Sequence, residues 1–245
     1  INANYLLITP GGERIEGVKG LAYWCVKTNQ SFLKTAKEYI TTLAKYQRFY
    51  RHGLINGMSK LRQTFNKVFL DELYYLDFYS LERFGKTRLG QLLLYAKLSQ
   101  DKNLIGELVN KIKPKIKKII REKKISNVGF IPPTVKRQVQ LMKELEKNLD
   151  LNLNKIILTK IKTSIPVAQK TLTKLADRVE NARQTIIVEG KNQANNILLI
   201  DDAVGSGATL NETAGQIRAK KLAKGKIVGL AITGSFKGFE VISEV

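Results

Sequence analysis

Residues 197–210 read ILLIDDAVGSGATL. Four apolar residues, Ile197 to Ile200, run directly into two carboxylates, Asp201 and Asp202. A loop of small residues follows, Gly205-Ser206-Gly207-Ala208-Thr209. The stretch that opens this segment, NNILLID (195–201), is short and nearly all apolar, which predicts a central parallel strand. A helix is expected over 209–223. The glycines let backbone N–H groups converge on one point, which makes an anion cradle at a helix N-terminus. Ser206 and Thr209 add hydroxyl donors. Two carboxylates facing a phosphate would repel it. Beside it they can accept hydrogen bonds from sugar hydroxyls or sit near a bound cation. Cradle and carboxylates together describe a ribose 5-phosphate site.

The order of these parts separates them from two other phosphate loops. In a dinucleotide-binding Rossmann unit the acidic residue arrives about 20 residues after the glycine loop. In a Walker loop a Gly-Lys-Ser/Thr follows, and none follows here. The bland alternative is a tight strand-to-helix turn with solvated aspartates.

Working outward, NVGFI (127–131), KIILTKI (155–161), QTIIVEG (184–190) and KIVGLAIT (226–233) read as strands. Residues 136–149 form an amphipathic pattern with Val139, Met142, Leu145 and Leu149 inward. Strands alternating with helices predict an α/β domain with a mostly parallel twisted sheet and flanking helices. Upstream, Phe32, Leu33, Ala36, Ile40, Leu43 and Ala44 recur at helical spacing, and the pattern extends from Ser31, an N-cap, to about Phe69. Gly53 and Gly57 are breaks within it. Residues 5–8, PGGER and the apolar stretch 21–26 read as two strands around a glycine turn. Helices are expected near 88–99 and 102–112, with Pro114 interrupting the pattern. In 111–124, Ile112, Ile116, Ile119 and Ile120 share one stripe and the lysines lie elsewhere. A composition shift near 70 divides the chain into a mainly helical, basic region (1–70) of unassigned role and an α/β domain (71–245).

The 245 residues carry 42 Lys and Arg against 21 Asp and Glu, a net charge of +21. Residues 1–70 hold a balance of +8 and residues 101–125 one of +6, counted from the sequence. A field of this size attracts polyanions: nucleic acid, phosphorylated metabolites or an anionic surface. A generally Lys-rich composition is the plain alternative. Apolar residues at 43% are enough for a core, and no apolar run approaches the ~20 residues that span a bilayer. One cysteine, Cys25, excludes a disulfide framework and a Cys-rich zinc site, and points to a reduced, cytoplasmic setting. One histidine, His52, excludes a multi-His metal centre.

The segment IDDAVGSGAT resembles the phosphoribosyl-diphosphate (PRPP) motif of type I phosphoribosyltransferases, with Gly205 where Thr is more usual. Further segments are similar to the ComF-like, competence-associated branch of that family. They are Gln169, Leu172, Arg178 and Asn181 within PVAQKTLTKLADRVENA (166–182), Lys97 within LLLYAKLSQDKNLIGEL (92–108), and FIPPTVKRQVQLMKEL (130–145). The resemblance covers roughly 75–245. It departs from the branch in lacking the four-Cys zinc module. It also departs in the loop after Pro133, where only Lys136, Arg137 and Gln138 stand in for the usual stretch.

The resemblance implies displacement of pyrophosphate from PRPP by a nitrogen acceptor, with Mg²⁺ near Asp201 and Asp202, bound through PRPP rather than by a dedicated ligand set. Asp201 and Asp202 would hold the ribose, and Gly205, Ser206, Gly207, Ala208 and Thr209 the 5-phosphate. Lys170, Lys174 and Arg178 would neutralise pyrophosphate, and Pro133, Lys136 and Arg137 would form its loop. A basic helix face is the bland reading of the first three. Two alternatives stand beside this. One is a non-catalytic module of the same fold binding nucleotide or single-stranded DNA, with Tyr46, Arg48, Phe49, Tyr50 and Arg51 as a stacking surface. The other is an S-adenosylmethionine-dependent DNA methyltransferase, which the Asp-x-x-x-Gly-x-Gly spacing allows. KIVGLAIT has no terminal acid to support it, and Phe130-Ile131-Pro132-Pro133 substitutes poorly for that family's motif. An oligomer is compatible with all of these.

Overall fold

A computed structural model of the chain describes residues 1–133, 137–161, 175–190 and 193–236. Strands β1 (Leu6–Ile8) and β2 (Arg14–Glu16) pair antiparallel around the PGGER turn. The apolar stretch 21–26, expected as the second strand, lies instead in helix α1 (Gly17–Lys27), where Gly17, Gly20, Leu21 and Cys25 form one buried face. Their spacing of three and four is helical, which the short window hid. Helix α2 (Phe32–Gln47) follows.

The expected helix does not continue to Phe69. The chain turns back through β3 (Tyr50–Arg51) and β4 (Leu54–Asn56). His52 and Gly53 join them, both at positive φ (52° and 80°), as a two-residue hairpin turn that matches strand twist requires. Helix α3 (Met58–Thr64) starts after Gly57 and leads to β5 (Glu72–Phe78), a strand to which the pattern reading assigned no element. A small hairpin, β6 (Ser80–Leu81) and β7 (Gly85–Lys86), precedes α4 (Arg88–Ser99).

Helix α5 (Lys102–Glu122) runs straight through Pro114. An internal proline removes one hydrogen bond and crowds the carbonyl four residues back, at about 3 kcal/mol. The helix survives because Ile105, Leu108, Val109, Ile112, Ile116 and Ile119 all bury on one face, and each buried side chain contributes about 1.5–3 kcal/mol. The stripe read from the sequence is therefore the one that packs.

The remaining elements are β8 (Ile125–Phe130), α6 (Leu141–Leu149), β9 (Asn154–Lys155), β10 (Ile157–Lys160), α7 (Leu175–Thr185), β11 (Ile186–Glu189), β12 (Asn196–Val204), α8 (Ala208–Ala219) and β13 (Ile227–Gly234). Seven strands form one sheet in the order β3-β4-β5-β13-β12-β8-β9. From β5 to β9 the pairings are parallel; β3 and β4 add antiparallel at the edge. The α/β reading holds: a mostly parallel sheet flanked by helices, preceded by a helical N-terminal region. β12 is central, as expected. KIILTKI does not form one strand, because it divides at Ile156 into the sheet edge β9 and the arm β10, which pairs with β11.

Two apolar layers sandwich the sheet. Leu198, Ile200, Val228 and Leu230 face α4, α5 and α6. Ile197, Leu199, Ile227 and Ala231 face α8, α3 and the β10–β11 arm. The two connections that leave β8 and β12 therefore part company. β8 leads through α6 on one face to β9; β12 leads through α8 on the other to β13. Such a divergence opens a crevice at the C-terminal ends of the two strands, where open α/β sheets bind ligands. Among the described residues, no helix is long and apolar enough to cross a membrane.

Candidate functional site

The crevice is bordered by the two loops that the sequence singles out. Ile131, after β8, donates its amide to Ile200 O of β12 at 2.8 Å. Val139, further along the same loop, donates to Gln100 Oε1 at the end of α4 (2.8 Å). Pro133 and Arg137 lie half-buried on this loop, and the Arg137 carbonyl accepts from the Gln140 side chain at 3.0 Å. Lys136 lies outside the described residues.

Asp201 and Asp202 do not follow the strand but sit within it, since β12 extends to Val204. Side-chain alternation slips here. Leu198 and Ile200 share a layer with Ala203, while Val204 joins the opposite one. The two carboxylates interact with one another rather than pointing apart. Asp202 Oδ2 accepts from Lys97 Nζ at 2.7 Å, and its other oxygen accepts from the Ala203 amide at 2.7 Å. Asp201 Oδ1 accepts from the Asp202 amide at 2.8 Å.

Their protonation is pushed apart. Burial and the neighbouring charge of Asp202 raise Asp201 well above the carboxylate range. Burial alone would raise Asp202 too, but the Lys97 ammonium holds it below the usual value. One acid pushed toward protonation beside another held toward ionisation is suited to donate and accept hydrogen bonds with a diol. Lys160 on β10 is within electrostatic reach of Asp201. Burial lowers its ammonium pKa, and Asp201 pulls the other way. Sequence reasoning missed Lys160 and Gln100, and met Lys97 only through the family resemblance. Alternation along 155–161 was the one signal that could have pointed to Lys160.

The small-residue loop opens α8 as predicted. Gly207 is its N-cap at φ 85°. Ser206 Oγ accepts the Ala208 amide at 3.3 Å, while the amides of Thr209 and Leu210 receive no cap from a residue without a side chain. Free amides at a helix N-terminus are suited to an anion. A Cβ on Gly207 would lie 2.6 Å from Leu61 Cδ1 of α3. The N-terminal region thus backs the loop. Two further hydroxyls, Thr233 Oγ1 and Ser235 Oγ, are buried without a hydrogen-bond partner among the described residues. Thr233 pairs in register with Ala203, and Ser235 donates its amide to Val204 O at 3.1 Å. Orphaned buried hydroxyls are costly, and these two adjoin the loop.

Arg178 is 4% exposed on α7, so it is not part of a solvated basic face. Helix α7 is tied to α8 by Arg183 Nε, which donates to Glu212 at 3.2 Å. Lys170, Lys174, Gln169 and Leu172 lie outside the described residues. The proposed stacking surface divides. Tyr46 is 2% exposed and stacks on Phe236, and the Tyr50 hydroxyl is engaged by Asp77; of the three aromatics only Phe49 is open, at 48%, beside exposed Arg48 and Arg51. Tyrosines at helical spacing went to the core. Lys115, one of the lysines off the isoleucine stripe of 111–124, turns inward and donates to Leu76 O at 3.3 Å.

Among the described residues, no group of three or more His, Cys, Asp or Glu gathers. A set of two carboxylates fits a magnesium ion that takes most of its ligands from substrate oxygens and water.

No protein-family model matches the sequence, and no curated protein matches it. Among solved structures, the chain is similar to a hypoxanthine phosphoribosyltransferase from Staphylococcus aureus. That match is 13% identical with a TM-score of 0.34, over 59% of this chain and 70% of the other.

Proposed function

We propose that the chain is a ComF-like phosphoribosyltransferase that binds PRPP and transfers its phosphoribosyl group to a nitrogen acceptor, releasing pyrophosphate. One observation carries the reading. Two adjacent carboxylates, Asp202 held by Lys97 at 2.7 Å, lie on the central strand, three and four residues ahead of the glycine loop that opens α8, at the sheet's switch point. Asp201 and Asp202 would hold the ribose hydroxyls, and residues 205–209 the 5-phosphate. Pro133, Arg137 and Lys136 would border the pyrophosphate, and Lys170, Lys174 and Arg178 would offset its charge. Mg²⁺, when bound with PRPP, would supply neutralisation of the pyrophosphate oxygens beside Asp201 and Asp202. The transition state gains positive charge at the sugar and negative charge on the leaving group, so catalysis rests on positioning and electrostatics. The proposal includes a cytoplasmic setting, supported by a single cysteine that is buried as a free thiol.

The test is calorimetric titration with PRPP and Mg²⁺, followed by pyrophosphate release across a panel of bases and amines. Saturable binding and release with one acceptor are expected. Absence of PRPP binding would end the reading. Binding without release would favour the second reading, a module that holds nucleotide or single-stranded DNA without turnover. The +8 balance over residues 1–70 and the exposed Phe49 between Arg48 and Arg51 favour that alternative.

A further inference from the structure

A second cavity, of about 400 Å³, lies where the N-terminal region closes over the C-terminal end of β5. Tyr46, Gln47 and Tyr50 line it from the N-terminal side, and Leu76 and Asp77 from the sheet. None of its lining residues belongs to the ribose phosphate site. Its size falls at the small end of ligand sites, which run from roughly 300 to 1,000 Å³.

Three cations from two helices meet at this cavity: Arg88, which opens α4, and Lys111 and Lys115, one turn apart on α5. Their counter-charges are unequal. Arg88 donates to Glu16 at 2.8 Å, and the adjacent Glu107 is taken up by Arg14 at 2.6 Å. Lys111 reaches Glu107 only electrostatically. Lys115 acts on Asp77, whose Oδ1 accepts from the Tyr50 hydroxyl and from the Phe78 amide at 2.7 Å. Burial pushes the Asp77 carboxyl above its usual range, and its Oδ1 is already occupied by Tyr50 and Phe78 rather than by a lysine. Among the described residues, neither Lys111 nor Lys115 has a carboxylate within 4 Å. An aromatic and aliphatic chamber with two under-compensated ammonium groups is complementary to a negative group on an apolar body.

We propose that this cavity binds a small organic anion, a carboxylate or phosphate monoester carried on an aromatic or aliphatic body. Lys111 and Lys115 hold the anionic group, and Tyr46, Leu76 and Ile112 face the body. The basic run of α5 thereby divides into two lysines that line the cavity, exposed Lys111 at its rim and half-buried Lys115, and others, such as Lys117, that face solvent elsewhere.

The test is ligand-observed NMR on the full chain with phenyl phosphate and phenylacetate, and with benzyl alcohol as the neutral control. At least one anionic probe should bind saturably with a dissociation constant of about 1 mM or tighter, and the alcohol about tenfold more weakly. Which anion binds better identifies the head group. Lys111→Gln and Lys115→Gln should each weaken binding about tenfold, whereas Asp202→Asn should not change it. Lys111 is exposed, so its variant decides the matter even if Lys115→Gln fails to fold. No saturable binding of either anion, equal binding of the alcohol, or unaltered affinity in Lys111→Gln would each overturn the proposal.

Discussion

Lys97 Nζ stands 2.7 Å from Asp202 Oδ2, joining α4 to the central strand and leaving both side chains only 26% and 18% exposed. This contact sets the charge of the candidate site, because it keeps one of two adjacent carboxylates ionised while the other is driven toward protonation. Removing the lysine should strand a half-buried charge. Lys97→Met is expected to lower stability at neutral pH by about 1–3 kcal/mol, less than for a fully buried pair because water still reaches both groups. The sign follows from the depressed Asp202 value. Its contribution is present above the unfolded pKa of about 3.9 and is lost as pH falls through the lower folded value. Urea unfolding at neutral and acidic pH should show the gap between wild type and variant closing in acid. A pH-independent gap would mean that packing, not charge, is what the lysine supplies.

Asp201 behaves oppositely. Its folded pKa is raised, so its ionisation opposes folding, and the cost grows as pH rises through the folded value. Asp201→Asn should therefore leave stability unchanged or raise it slightly at neutral pH while weakening ribose 5-phosphate binding about tenfold. Thermal melts and calorimetric titration separate the two effects. A variant that unfolds, or one with wild-type affinity, would remove Asp201 from the site.

Gly207 has two reasons to be glycine, a φ of 85° and the proximity of Leu61. Substitution thus tests the fold as well as the proposed phosphate cradle. Gly207→Ala should cost about 1–3 kcal/mol in strain and crowding, and adding Leu61→Ala should recover only the crowding. A double-mutant cycle on denaturant midpoints measures this coupling. Strict additivity would show that the loop relaxes away from α3.

Thr233→Val replaces a buried, unpartnered hydroxyl with a methyl of similar size. Stability should rise by about 1 kcal/mol. If the hydroxyl serves the bound ribose phosphate, affinity for ribose 5-phosphate falls in the same variant. A loss of stability would show that Thr233 has a hydrogen bond in solution.

Pro114→Ala should stabilise the chain by about 1–3 kcal/mol, since it restores a donor inside α5 at an exposed position. Destabilisation would indicate that the proline constrains the unfolded chain more than it strains the helix.

Much of this architecture was legible along the chain because its signals are local. The apolar run at 197–200 marked a strand buried on both faces. The isoleucine stripe of 111–124 marked a packed helix face, and the glycines marked the loop that opens α8. Other features were hidden because they depend on partners distant in sequence. The helical reading of 31–69 failed where His52-Gly53 turns the chain into two strands, which are stable only because β5 offers them an edge. Pro114 failed as a helix stop because tertiary burial outweighed a local penalty.

The sequence by itself determined that this protein is an α/β chain with paired carboxylates ahead of a glycine loop that opens a helix, since periodicity and glycine spacing are properties of neighbouring residues. Only the tertiary structure decided which lysines matter. Lys97 from α4 ionises Asp202, Lys160 from β10 approaches Asp201, and Lys115 turns from a basic run into a cavity. Charge along a sequence does not reveal burial, and burial, by removing water, is what makes one lysine hold a carboxylate ionised while another merely dissolves.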